Sequence, residues 1–236
     1  MINWYNITCN ATKHIIPAQS WLFDKYCGFF PYYIDVEDNP IDNWGKRLAS
    51  MIPDEELVIF GLDDYLPIDY INKDKLAEAI EIIKNTSIER FELGWGASKK
   101  KGMINTGFFN NDLINSVGFL EYGKETPYSV SCQFSIWRTS ALKRELERTT
   151  TPWKFEIYGR AKAACFKDYA FRWIEESALS GRQKGKTNLC GLRLEDEEEL
   201  ISLGYIDKSK VIYGWAGNNE RTQTVYGTKY KEYYEI

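Results

Sequence analysis

The chain has 236 residues, 44% of them hydrophobic, and a formal net charge of −4, which allows one large domain with a sizeable core and argues against a global attraction to nucleic acid. Five scattered cysteines without a Cys-x-x-Cys pair, and a single histidine, His14, support neither a disulfide framework nor a histidine-built metal site. No signal peptide and no membrane-spanning apolar run is legible, so the expected setting is a reducing cytoplasm.

Trp4 to Cys9 reads as a first strand, and the polar stretch Asn10 to Lys13 as the loop after it. A helix is predicted from about His14 to Tyr26, burying Ile15, Ile16, Trp21, Leu22 and Phe23. Tyr32 to Val36 reads as a second strand that runs into the acids Asp35, Glu37 and Asp38. Asn43 to Met51 reads as a helix carrying Trp44 and Leu48. Leu57 to Phe60 is a short apolar run rich in β-branched residues, the pattern of a buried strand. It ends in the adjacent carboxylates Asp63 and Asp64, and Pro67 is expected to stop the chain from continuing it. Asn72 is placed to cap a helix from Lys73 to Asn85, with Leu76, Ile80 and Ile83 on one face. Glu89 to Trp95 reads as another strand. Alternating strands and helices predict an α/β fold with a mostly parallel sheet covered on both faces.

From Gly96 to Thr126 the periodicity fades, and Lys99 to Gly102 with two Asn-rich turns suggests a loop or small hairpin. Tyr128 to Trp137 alternates like a strand, and Thr139 to Arg148 reads as a charged helix. Thr151 and Pro152 then open a further helix, the threonine as cap and the proline at the favoured first position. Beyond Ser180 come a basic loop, an acidic helix at Glu195 to Leu203 and a Tyr-rich tail. One domain is expected, with a less regular C-terminal portion.

Two adjacent carboxylates repel, and each is costly to desolvate alone. A hard divalent cation relieves both costs, and Mg²⁺ or Mn²⁺ needs only one or two carboxylates when substrate phosphates complete its shell. At the end of a strand in an open α/β sheet, the pair would stand where such sheets bind ligands. An ordinary polar turn accounts for the same two residues.

Three stretches together, Leu62-Asp-Asp-Tyr65, Gln133-Phe-Ser-Ile-Trp-Arg138 and Thr151-Pro-Trp-Lys-Phe-Glu156, resemble glycosyltransferases of the GT-A type, in particular a group of small bacterial and phage proteins. The resemblance covers about residues 1 to 165. It implies a Rossmann-like nucleotide-binding half over 1–95, an acceptor or catalytic half over 96–180 and an extension over 181–236, with a metal-dependent, inverting transfer of a sugar from a nucleotide donor, UDP-sugar foremost, to a glycan hydroxyl. Asp63 and Asp64 match the family's Asp-x-Asp-type motif, although here the acids are adjacent. By analogy Asp64 binds Mn²⁺ or Mg²⁺, and Asp63 the ribose or the same cation.

Thr8, Asn10 and Asp35 fall where such proteins hold the nucleobase and ribose, and Trp44 is placed to stack on the base. The resemblance makes Glu156 the base that deprotonates the acceptor, its anion favoured by the helix N-terminus and disfavoured by desolvation beside Trp153 and Phe155. Gln133, Trp137, Arg138 and Trp153 would bind the acceptor, the tryptophans as flat faces for a sugar ring. Two other readings use the same residues. One is a non-catalytic nucleotide-sugar or carbohydrate binder on this scaffold. The other is a transferase acting on hydroxymethylated DNA bases, for which Lys99 to Lys101 and Arg182 to Lys186 would supply local basic charge.

Overall fold

The structure is a computed structural model; it describes residues 2–10, 12–36, 43–63, 65–94, 109–110, 119–122, 129–166, 170–175 and 193–205. The strands are β1 (Trp4–Thr8), β2 (Tyr32–Asp35), β3 (Leu57–Leu62), β4 (Tyr65–Pro67), β5 (Arg90–Glu92), β6 (Phe109–Asn110), β7 (Phe119–Tyr122), β8 (Ser135–Arg138), β9 (Ala163–Phe166) and β10 (Trp173–Glu175). The helices are α1 (Ile16–Cys27), α2 (Trp44–Met51), α3 (Lys73–Asn85), α4 (Thr139–Glu147), α5 (Pro152–Tyr158) and α6 (Leu194–Ser202). Eight strands form one mixed sheet in the order β2-β1-β3-β8-β5-β9-β7-β6, and β4 pairs with β10 in a second, two-stranded sheet. In the main sheet β7 and β8 run against the direction shared by the other strands. The fold is α/β, as the alternation of elements predicts.

β3 owes its apolar run to its position. It lies between β1, parallel to it, and β8, antiparallel to it, and Leu57 to Gly61 are all buried. Two cores cover the two faces. On one, α1 and α3 pack Leu22, Phe23, Ala79 and Ile83 against Trp4, Ile59, Phe91 and Phe134. On the other, α2, α4 and α5 pack Leu48, Leu142, Leu146 and Phe155 against Tyr5, Val58, Phe60 and Trp137. Local chemistry sets several boundaries. Gly28 ends α1 in the left-handed conformation, φ 75°, and its N–H caps the carbonyls of Phe23 and Asp24. Asn72 caps α3 by accepting from Lys75 N at 3.0 Å, and Thr151 caps α5 by accepting from Lys154 N at 3.1 Å.

Two strands form that the sequence did not announce, and one expected strand is shorter. Beyond the two acids the chain forms β4, which ends at Pro67 as expected, because β10 supplies an antiparallel partner far downstream. β9 is an Ala-Ala-Cys-Phe strand of low intrinsic propensity, formed because β5 and β7 flank it. Among the described residues of the stretch 128–137, only Ser135 to Trp137 are strand. Within it, Ser129 to Phe134 is irregular, held from beneath by the buried Arg90 guanidinium. The paired β6 and β7 bear out a hairpin between 96 and 126.

Candidate functional site

From β1 the chain crosses one face of the sheet through α1 to reach β2, which pairs with one side of β1. From β2 it returns over the opposite face through α2 to β3, which pairs with the other side of β1. The two connections leave the carboxyl ends of β1 and β2 over opposite faces, and open α/β sheets bind their ligands beyond the carboxyl ends of the strands. Four of the residues singled out in the sequence meet there. Thr8 closes β1, Asn10 follows it, Asp35 closes β2 in register with Thr8, and Asp63 follows β3. Asp63 N donates to Ile7 O at 3.0 Å, which carries the β1–β3 ladder one step further and sets Asp63 beside Thr8. Asp63 is 3% exposed. Asp64, the other proposed metal ligand, lies outside the described residues, as do the lysines 99–101 and the basic stretch 182–186.

Around this edge the side chains are tied together. Lys13 Nζ donates to Asn10 Oδ1 at 2.8 Å and forms an ion pair with Asp35 at 2.5 Å, joining the loops after β1 and β2. Beneath them lie Asn6 and Gln19, both fully buried, with Asn6 Nδ2 donating to Gln19 Oε1 at 2.8 Å. Gln19 Nε2 donates to the carbonyls of Tyr65 at 2.8 Å, Asp63 at 2.9 Å and Leu62 at 3.3 Å. Tyr33 OH is 3.0 Å from Ser20 Oγ. Burial pushes the Tyr33 phenol up to about 12; the hydrogen bond to Ser20 opposes this, and the nearby charge of Asp63 adds to it. Thr8 Oγ1 and Asn6 Oδ1 are buried without a hydrogen-bond partner among the described residues.

Sequence inspection passed over Gln19, Asn6 and Tyr33. For Gln19 the signal was present: Ile15, Ala18, Leu22, Phe23 and Tyr26 are buried at helical spacing, and position 19 falls inside that stripe. A polar residue at a core position of an amphipathic helix needs a buried partner.

The second half of the site behaves differently. The segment Ser129–Phe134 leads into β8 at the edge where β3 ends, since Ser135 pairs with Phe60. Cys132 N there donates to Glu156 Oε1 at 2.7 Å. Glu156 is half-buried and stands in α5, but at its fifth position, with no acid in the first turn. In place of the expected helix N-terminus, the Cys132 N–H meets the carboxylate. Gln133 is half-buried on the same segment, its own N–H 3.3 Å from Ser131 Oγ. Trp153 is half-buried on α5.

Three aromatic or basic residues take other places. Trp137 is 0% exposed and packs 6.0 Å from Phe155 and over Arg90, so it has no face to offer a sugar. Trp44 is 9% exposed and packs edge-on against Phe155 at 6.1 Å, in the α2–α5 core rather than over a base. Arg138 spends its guanidinium on the carbonyls of Ile83, Thr86 and Ile88, closing the end of α3.

Among the described residues no group of three or more His, Cys, Asp or Glu side chains could hold a metal. A cation whose shell is completed by phosphate oxygens needs fewer protein ligands. The buried Asp63 carboxylate, next in sequence to Asp64 and beside the Thr8 hydroxyl, offers hard oxygens of the right kind. Among the described residues no helix is long and apolar enough to cross a membrane.

No protein-family model matches the chain, and no curated protein does. Among solved structures it is similar to A197 from STIV, known from a crystal structure, at 11% identity and a TM-score of 0.41 over 74% of this chain and 85% of that one.

Proposed function

We propose that the chain is a glycosyltransferase that moves a sugar from a nucleotide donor, a UDP-sugar first among the candidates, to a hydroxyl of a glycan acceptor. The observation that carries this reading is the meeting of Thr8, Asn10, Asp35 and Asp63 at the carboxyl ends of the parallel strands β2, β1 and β3. In this reading the loops after β1 and β2 bind the nucleoside, with Asp35 and Asn10 already oriented by Lys13. Asp63 accepts a ribose hydroxyl or shares a cation with Asp64. Asp63 and Asp64 would hold the Mn²⁺ or Mg²⁺, whose chemistry would be Lewis-acid stabilisation of the charge on the leaving group. Glu156 is the candidate base, a carboxylate anchored by Cys132 N–H on the segment that also carries Gln133. A single base acting on the acceptor hydroxyl fits direct displacement with inversion. Trp153 and Gln133 remain as acceptor contacts; Trp137, Trp44 and Arg138 drop out of the site.

Calorimetric titration with UDP-, GDP- and CMP-sugars, with and without Mn²⁺, tests the proposal. One donor is expected to bind in a Mn²⁺-dependent manner, and Asp63→Asn and Asp64→Asn are expected to weaken it without unfolding the chain. Donor binding without hydrolysis or transfer to any acceptor would instead favour a non-catalytic binding protein. The absence of binding to every nucleotide sugar would overturn the reading.

A further inference from the structure

The turn after β3 changes sheets. Leu62 ends a strand of the main sheet, and Tyr65 begins β4, which pairs with β10 instead. Only Asp63 and Asp64 lie between. A chain that leaves one ladder for another exposes carbonyls to neither, and buried carbonyls need donors. Asp63 N still reaches Ile7 O, so the turn is held by β1 on its N–H side. On its carbonyl side it is held by one side chain: the two hydrogens of Gln19 Nε2 serve Leu62, Asp63 and Tyr65.

These three acceptors also fix which end of the Gln19 amide is nitrogen, because an oxygen there would face carbonyl oxygens. The oxygen end must then meet a donor, and Asn6 Nδ2 provides it from the middle of β1. Both amides are 0% exposed, so neither can exchange its partners for water.

We propose that the Gln19–Asn6 amide pair is the positioning device of the turn at Asp63: α1, through one buried amide, sets the direction in which the backbone at Asp63 leaves β3. Gln19 touches no reacting atom in this role and acts only through the turn. The binding part of the inference rests on the function proposed above; the conformational part does not.

Two measurements separate them. Hydrogen exchange reads the turn directly, and Mn²⁺ affinity, with and without UDP, reads its consequence. Gln19→Met keeps the shape and removes both donors. Exchange over 62–66 is expected to accelerate by about tenfold or more, and Mn²⁺–UDP affinity to fall by a similar factor. Asn6→Asp, a change of the same shape, places an acceptor against Gln19 Oε1 and favours the flipped amide. It is expected to move exchange in the same direction should Gln19→Met fail to fold. Leu146→Ala, in α4 on the opposite face, serves as a comparison of lowered stability and is expected to leave exchange over 62–66 and Mn²⁺–UDP affinity unchanged.

Native exchange over 62–66 in Gln19→Met, or in Asn6→Asp where only that variant folds, would overturn the positioning role. So would acceleration of the same size in Leu146→Ala, since general loosening would then explain it. If the wild-type chain binds neither Mn²⁺ nor UDP, the functional reading fails, and hydrogen exchange alone decides the clamp.

Discussion

Glu156 occupies the fifth position of a seven-residue helix, so its role depends on what faces it rather than on the helix end. Cys132 N–H orients one oxygen of its carboxylate and favours the anion. Glu156→Gln keeps an acceptor for that N–H and removes the basic site. It is expected to leave Mn²⁺-dependent donor affinity unchanged while lowering kcat by about a hundredfold or more. Near-normal kcat under conditions where chemistry limits the rate would exclude it as the base. Tyr33 gives a second test at this scale. Its phenol is raised from 10.0 to about 12, mainly by burial. A group raised in the folded state contributes stability that is fully present below its unfolded value and is lost as pH rises through the folded one. That contribution is thus complete below about pH 10 and disappears toward pH 12, as does its counterpart at Tyr5, which burial and Glu55 raise in the same sense. Spectrophotometric titration of Tyr33→Phe should lose one phenol that ionises near 12. Loss of a phenol that ionises near 10 instead would show that Tyr33 is not enclosed.

The elements meet with little slack. A Cβ added to Gly45, near the start of α2, would stand 1.9 Å from Leu146 O and 2.4 Å from Thr149 O, both backbone atoms at the end of α4. Neither can rotate away as a side chain could. Gly45→Ala is therefore expected to force α2 and α4 apart and to cost about 1–3 kcal/mol or more, read from denaturant unfolding. Wild-type stability would mean that the helices pack less closely than described. Arg138 has a comparable role at the end of α3. With the guanidinium satisfied by helix-end carbonyls, it belongs to the packing of α3 on β8 and not to phosphate binding.

Across the whole molecule, the described part of the C-terminal extension is joined to the main core. Asp196 of α6 is 0% exposed and accepts from Lys25 and from Tyr26 OH on α1, while Leu200 is buried in the core between α1 and α3. Arg193 adds a stack over Tyr26 and a 3.1 Å bond to Asp69. Asp196→Ala strands the buried Tyr26 hydroxyl, so a loss of about 1–3 kcal/mol is expected, with earlier proteolytic release of the segment carrying α6. Unaltered proteolysis would mean that α6 is held by Leu200 alone.

The sequence by itself determined the features whose causes are local. Asn72, Thr151-Pro152 and Gly28 set helix ends through contacts within a few residues, and the apolar run at Leu57 announces a strand buried on both faces. It also placed Thr8, Asn10, Asp35 and Asp63 at strand ends, which is why these four survive together at one edge. Only the tertiary structure decided what depends on distant partners. β4 and β9 exist through strands far away in the chain, and neither carries a local signature. Trp44, Trp137 and Arg138 read as ligand contacts in one dimension because a tryptophan or arginine near a motif looks the same whether it faces a crevice or a core. Burial separates the two, and burial is set by which face of each element its neighbours cover.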